Sequence, residues 1–293
     1  MPQGQIRKAL SGFYYVKDGE KVIQCRGRGI FRNRQISPLV GDFVDYEADN
    51  DKEGTITHIH ERKNELVRPP IANIDQAILV FSAKEPDFHP LLLDKFLVVI
   101  ESFDITPVII LTKMDLPSSD EKTTLSRFAE DYRNIGYEVF TVRKGDTALA
   151  EELLPLLNGK TSVLAGQSGV GKSTLLNTIL PELELKTAEI SGALNRGKHT
   201  TRHVELIEVN GGLLADTPGF SSFDFDHIEK EELSACFPEM AERSPNCKFR
   251  ECLHTNEPKC AVKAAVKTGE IPDYRYADYV QFLQEITDRK PRY

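Results

Sequence analysis

The chain has 293 residues, enough for two or three domains with a buried core, and its 40% hydrophobic and 28% charged residues are those of an ordinary soluble protein. A formal net charge of −8 argues against an indiscriminate polyanion binder. No apolar run approaches the roughly 20 residues that span a bilayer. The opening stretch MPQGQIRKALSGFYY lacks the apolar segment of a signal peptide, so a cytoplasmic protein with no membrane partner is expected.

Residues 1–65 read as all-β. GFYYV, KVIQCRGRGIF, DFVDYEA and GTITHIHER are short, rich in β-branched and aromatic residues, and separated by turn signals such as KDGE and NDKEG. Four or five such strands suggest a small barrel of OB type, with an SH3-like barrel as the alternative. Lys21, Arg26, Arg28, Arg32 and Arg34 form a basic stretch with no acid among them. It is either a solvated strand face or a local phosphate-contacting patch. Phe13, Tyr14, Tyr15 and Phe31 are core residues or stacking platforms, and alternation requires some to point inward. ELVRPP then interrupts regular structure, because its two prolines remove donors and favour extended geometry before them.

From residue 71 strands and helices alternate. DQAILVFSA, TPVIILTKMD, YEVFTV and SVLAG are buried-strand runs; LLLDKFLVVIESF, TTLSRFAEDYRNIG and ALAEELLPLL are amphipathic helices between them. This pattern specifies a mostly parallel sheet with helices on both faces. VELIEVNGGLLA at 204–215 reads as a hairpin turning on its glycine pair, running on to DTPGF. Beyond about residue 224 the chain is acidic and helical, then cysteine-rich, then helical to its end.

The first chemical motif along the chain is TKMD, Thr112, Lys113, Met114 and Asp115, at the end of a buried strand. An Asp carboxylate accepts hydrogen bonds from N1–H and the 2-amino group of guanine. Adenine offers neither donor, and a site built on that pair rejects it by several powers of ten. Asp115 fits this role and Lys113 would lie over the base, whereas Thr112 stands where Asn is usual. A solvated Lys and Asp at an ordinary strand end is the alternative, and the C-terminal end of a parallel strand, where such sheets bind ligands, favours the site.

GQSGVGKST follows about fifty residues later: Gly166, Gln167, Ser168, Gly169, Val170, Gly171, Lys172, Ser173 and Thr174. It fits G-x-x-x-x-G-K-[ST] between a strand and a helix. The glycines let successive N–H groups face phosphate, Lys172 neutralises β/γ oxygens, and Ser173 ligates Mg²⁺. In GKHTTRH, Thr200 or Thr201 would ligate Mg²⁺ and sense the γ-phosphate as a switch does. In DTPGF, Asp216 would hold Mg²⁺ through water and Gly219 offer its N–H to the γ-phosphate. The position after that motif, where a Gln often orients the attacking water, is Phe220. Either a partner supplies what is missing or His199 substitutes as the catalytic group; an exposed loop histidine is the other reading.

Among five cysteines, Cys247, Cys252 and Cys260 combine with His254 as C-x4-C-x-H-x5-C. Three thiolates and an imidazole form a closed tetrahedral set suited to one structural Zn²⁺. Cys25 and Cys236 are too distant to contribute and read as small core residues.

Base motif, phosphate loop, switch and DTPG thus occur in an order that circular permutation explains. On TKMD, GQSGVGKST, GKHTTRH, DTPGF and the cysteine cluster, the chain resembles the circularly permuted bacterial GTPases called ribosome small-subunit-dependent GTPase A. The resemblance covers nearly the whole chain. It implies an OB domain at 1–65, a permuted G domain at 66–223 and a helical zinc-binding domain at 224–293. It further implies GTP hydrolysis stimulated by the 30S subunit late in its maturation, with 16S rRNA as partner, Mg²⁺ carried with GTP and GDP as product; a monomer is expected. TVRKGD at 141–146 lacks the Ser-Ala pair that often closes over the base, so no residue is assigned there. Two other classes stay open: an RNA-binding module in which nucleotide is only an on/off ligand, and an ATPase, which Asp115 disfavours.

Overall fold

The structure is a computed structural model that describes residues 1–29, 31, 36–48, 50, 52–67, 69–146, 148–179, 204–220 and 224–289, without the side chains of 148–150, 179 and 216–220. The chain forms two compact units, residues 1–78 with 145–220, and residues 79–144 with 221–293.

In the first unit, β1 (Gln3–Leu10), β2 (Phe13–Asp18), β3 (Lys21–Gly27), β4 (Phe43–Ala48) and β5 (Glu53–Ile59) close into a barrel. The pairings run β1–β2–β3–β5–β4 and back to β1, with β3 and β5 parallel and the rest antiparallel. This is the five-stranded closed arrangement of the OB type, so the SH3-like alternative does not apply. Ser11 and Gly12 both have positive φ, 51° and 83°, the backbone of a primed two-residue hairpin turn that matches strand twist. Alternation sends Ile6, Val16, Ile23, Cys25, Val44, Tyr46 and Ile56 inward. Phe31 is buried while Phe13, Tyr14 and Tyr15 are half-buried, so the four aromatics divide between core and surface. β3 ends at Gly27, earlier than the KVIQCRGRGIF run suggests.

The ELVRPP break becomes a two-residue pairing of β6 (Glu65–Leu66) with β7 (Ile71–Ala72). In the same unit β11 (Thr161–Ala165) runs parallel to β13 (Gly212–Phe220), which pairs antiparallel with β12 (Glu205–Val209). β12 in turn pairs with β1 through Lys8 and Glu205, whose side chains meet at 2.7 Å. The β12–β13 turn is Asn210–Gly211, with φ of 47° and 75°, one residue earlier than the glycine pair. Gly212 is needed for another reason: a Cβ there would lie 1.7 Å from the Leu157 carbonyl oxygen.

β8 (Gln76–Ser82) begins in the first unit and ends in the second, where β9 (Thr106–Thr112) lies beside it and pairs parallel with β10 (Glu138–Thr141). Helices Pro90–Ser102 and Ser119–Ile135 belong to this unit. The second is closed at its start by a Ser118/Glu121 capping box and at its end by left-handed Gly136. The C-terminal part of the unit consists of short helical turns followed by helices Ala261–Thr268 and Asp273–Thr287. Phe237, Met240, Tyr279 and Phe282 form its core with Val98 and Val99 of Pro90–Ser102.

Inside that core lies a buried ionic group. Arg275, fully buried, meets Asp94 at 2.7 Å and grips Glu239 through two contacts of 2.7 and 3.1 Å. Its guanidinium stacks on the Phe237 ring at 4.5 Å, and Tyr132 donates to Asp94 at 2.6 Å.

Candidate functional site

In the first unit, β11 is buried along its whole length and delivers the chain into the phosphate loop. Gly166, Gly169 and Gly171 have φ of 140°, 82° and 96°, values that side chains with a Cβ rarely adopt. They let the loop curl before helix Lys172–Ile179 begins, and the helix locks on through Leu175 N–H to the Gly171 carbonyl at 2.8 Å. Val170 is buried as the loop's apolar anchor. Lys172 donates its ammonium to the Gly166 and Gln167 carbonyls at 2.7 and 2.6 Å, and burial pulls it below its ordinary range. Ser168, Gly169, Ser173 and Thr174 are exposed, with Gln167 partly so. A strand, a glycine loop and a helix N-terminus thus form an anion cradle with a fixed cation.

β13 runs beside β11, and their register shifts where the motif lies. Val163 pairs with Ala215 and Ala165 with Phe220, so β13 takes five steps (215 to 220) where β11 takes two (163 to 165). The extra backbone length is Asp216–Gly219, beside the strand end that feeds the phosphate loop. His199, Thr200 and Thr201 lie outside the described residues, as do Arg32 and Arg34 of the basic stretch. Of the remaining basic residues, Arg28 pairs with Glu47 at 2.9 Å, and Arg26 lies 4.9 Å over the Phe13 ring.

The base motif belongs to the second unit. Thr112 is buried at the end of β9 and donates to the Phe81 carbonyl at 3.3 Å, while its own carbonyl accepts from Ala83 N–H at 2.9 Å. Lys113 has φ 57°, a left-handed turn that ends the strand, and its ammonium donates to the Glu85 carbonyl. Met114 is buried, its N–H on the Val142 carbonyl at 3.0 Å. Asp115 is exposed, and its Oδ1 accepts from the Lys144 N–H at 3.1 Å. That bond holds the carboxyl below the usual carboxylate range, so Asp115 is an ionised acceptor.

In the same unit the side chains of Cys247, Cys252, His254 and Cys260 place one ligand atom each within 4.8 Å of one another. His254 Nδ1 is 3.3 Å from Cys260 Sγ and 3.7 Å from Cys247 Sγ. Its Nε2 is paired with Ser244 Oγ at 3.1 Å, which fixes the ring with Nδ1 toward the thiols. Burial lowers the His254 pKa and keeps the ring neutral, the form that ligates. Burial also pushes the Cys252 thiol up to about 12, so the set needs a cation to hold it as thiolate. Tyr276 and Tyr279 donate to the His254 and Leu253 carbonyls at 2.7 and 2.9 Å and tie the loop to helix Asp273–Thr287. Three sulfurs and one imidazole nitrogen suit a closed tetrahedral metal site.

Comparison with known proteins gives the family and the fold. The family description RsgA GTPase matches residues 59–226, and RsgA N-terminal domain matches residues 3–56. A relative from Bacillus subtilis (strain 168), named small ribosomal subunit biogenesis GTPase RsgA, is 61% identical over 298 residues, covering 100% of both chains. The chain belongs to the RsgA GTPase family. A crystal structure described as YloQ, a circularly permuted GTPase, is similar with a TM-score of 0.85 and 56% identity, covering 100% of this chain and 97% of that one. The crystal structure of YjeQ from Thermotoga maritima gives 0.85 at 37% identity, covering 99% of each chain.

The RsgA family assignment makes this chain a GTP hydrolase, and the sequence resemblance is borne out. So is the architecture: an OB-type barrel, a circularly permuted P-loop G domain, and a helical C-terminal part with a metal-binding donor set. Sequence reasoning missed the Lys144 N–H on Asp115 and the Ser244 hydroxyl on His254. A backbone donor carries no residue-type signal, so Lys144 had none to offer. Ser244 stands three residues before Cys247, which is the only hint.

Proposed function

We propose that this RsgA-family protein binds the small ribosomal subunit and hydrolyses GTP late in its maturation, with turnover stimulated by the subunit. Two observations carry the nucleotide half, each within its own unit: a glycine-built anion cradle holding Lys172, and an ionised Asp115 fixed by the Lys144 N–H. The first supplies phosphate binding to any nucleotide and the second selects guanine. The printed name of the Bacillus subtilis relative supports the subunit half.

Within this proposal, Thr112, Lys113, Met114 and Asp115 receive the base, residues 166–174 receive the phosphates, and Asp216 and Gly219 serve Mg²⁺ and the γ-phosphate. Ser173, with Thr200 or Thr201, holds Mg²⁺, and His199 orients the attacking water. The ion of Cys247, Cys252, His254 and Cys260 is Zn²⁺, with a structural role. The division proposed is an OB domain at 1–65, a permuted G domain at 66–223 and a zinc-binding domain at 224–293; family matches at 3–56 and 59–226 support the first two, and the metal donor set supports the third. The protein works as a cytoplasmic monomer on 16S rRNA, and no helix among the described residues is long and apolar enough to cross a membrane.

GTP turnover measured with and without purified small subunits tests the reading. The expected result is stimulation by small but not large subunits. Equal rates in both conditions would leave nucleotide as a mere on/off ligand and overturn it.

A further inference from the structure

In the second unit, β8 and β9 lie side by side, and the base motif stands at the end of the second of them. Lys113 of that motif is held by the turn that leaves β8. Ser82, the last residue of β8 and only 2% exposed, donates its hydroxyl to the Pro86 carbonyl at 2.6 Å and closes this turn on itself. The Ala83 N–H ties the start of the turn to the Thr112 carbonyl at 2.9 Å. Its far end is anchored by Phe88, whose ring lies 6.4 Å from that of Phe81 on β8 and 5.5 Å from that of Phe128 on Ser119–Ile135.

Between these anchors the turn offers two groups to the base loop. The Glu85 carbonyl accepts from the Lys113 ammonium, and Lys84 donates its own ammonium to Glu121 at 2.6 Å. Glu121 also closes the capping box with Ser118. The turn therefore grips the chain on both sides of Asp115, at Lys113 before it and at Glu121 after it.

The backbone marks the first grip as the constrained one. Glu85 and Lys113 have φ of 56° and 57°, left-handed conformations that residues with a Cβ rarely adopt. Both ends of one hydrogen bond are held this way. Such outliers persist where the surroundings fix them, and they gather at ligand sites. The Lys84–Glu121 pair is partly exposed and contributes little alone, whereas the Ser82 bond starts from a buried hydroxyl.

We propose that Ser82 is a positioning residue for guanine nucleotide: its hydroxyl shapes the turn so that the Glu85 carbonyl sets the Lys113 side chain before the base arrives. A lysine side chain has several rotatable bonds, and fixing them in advance removes part of the ordering cost of binding. This role rests on the reading that Lys113 and Asp115 receive the base, and Ser82 acts on the nucleotide only through Lys113.

The test is a double-mutant cycle on the full-length, metal-loaded chain, read as the dissociation constant of GDP carrying a fluorophore on its ribose. Ser82→Ala is expected to weaken binding about fivefold, the size of one hydrogen bond. In a Lys113→Met background the same change should have no effect, an outcome that a merely structural serine would not give. Ser82→Thr keeps a hydroxyl and should bind within about twofold of the parent, which separates the missing bond from a failure to fold. Ser82→Ala binding GDP as the parent does, weakening it equally in both backgrounds, or losing no more than Ser82→Thr loses, would overturn the proposal and leave the base reading standing. Asp115→Asn and Lys113→Met both binding GDP as the parent does would overturn the base reading and this role together.

Discussion

In the barrel every strand has two partners within the barrel, and the ladder closes on itself around an apolar interior, with the buried Asp42 carboxylate met by Arg62 at 2.7 Å just before β4. The C-terminal segment from 224 to 289 has no strand among its described residues. It is organised instead around Arg275 with Asp94 and Glu239, and around the Cys247, Cys252, His254 and Cys260 donor set. Backbone ladders and apolar burial act under almost any solution condition. Buried charges and metal thiolates hold only while every partner is present in the right protonation state. The two regions therefore differ less in amount of stabilisation than in what can remove it.

Metal removal should separate them most. A structural zinc site contributes on the order of 10 kcal/mol to the order of its own loop. Chelation, or Cys252→Ser, should bring amide exchange at 244–260 to that of an unfolded segment, while β1–β5 keep their protection. Exchange unchanged at 244–260 after verified metal loss would break the contrast.

Next in size is Arg275→Ala, which strands Asp94 and Glu239 without a counter-charge inside the core. A loss of about 3–5 kcal/mol is expected from denaturant melts that follow the second unit. A loss below about 1 kcal/mol would show that water reaches the pair and that the network is dispensable.

The first unit has its own sensitive point, and it is a matter of space. Gly212→Ala puts a Cβ against the Leu157 carbonyl oxygen and should cost about 2 kcal/mol through backbone shifts. Gly269→Ala in the C-terminal segment meets no atom within 4 Å and has only its φ of 77° to strain, so about 1 kcal/mol is expected. Comparing the two melts sharpens the distinction between a region built by close backbone approach and one built by side chains.

The last effect is pH dependence, reduced by the partial solvent access of the groups involved, and its sign differs between the regions. Burial raises Asp278 to about 8, and Asp94 beside it adds to the shift. Its folded pKa lies above its unfolded one, so the folded state binds the extra proton, and stability falls as pH rises from about 4 to 8. In the barrel, the His60 bond at 2.9 Å holds Asp45 low, so that contribution is present above the unfolded pKa and lost only as pH falls. With metal saturating, Asp278→Asn should flatten the decline of the second unit between pH 5 and 8 and leave the barrel alone. An undiminished slope in that variant would assign the decline elsewhere.

How far the sequence could be read follows the same division. Barrel strands, the glycine loop, Asp115 and the four metal ligands are local patterns in which spacing alone constrains the chemistry. The β12–β13 turn was misplaced by one residue, because Asn210 takes positive φ and frees Gly212 for its contact with Leu157. Arg275 gave no signal. It lies in an ordinary helical pattern, and Asp94 and Glu239 stand on elements remote in sequence, so only the packed core shows that three charges share one site.

The central claim is that a permuted chain reads guanine through Asp115, and nucleotide choice tests it most directly. Asp115→Asn loses the carboxylate that accepts from N1–H and the 2-amino group, and its amide complements xanthine instead. Measured by competition binding and by turnover with small subunits present, the account predicts GTP affinity falling by two or more powers of ten while xanthosine triphosphate is used in its place. Retained GTP preference in that variant would contradict the account.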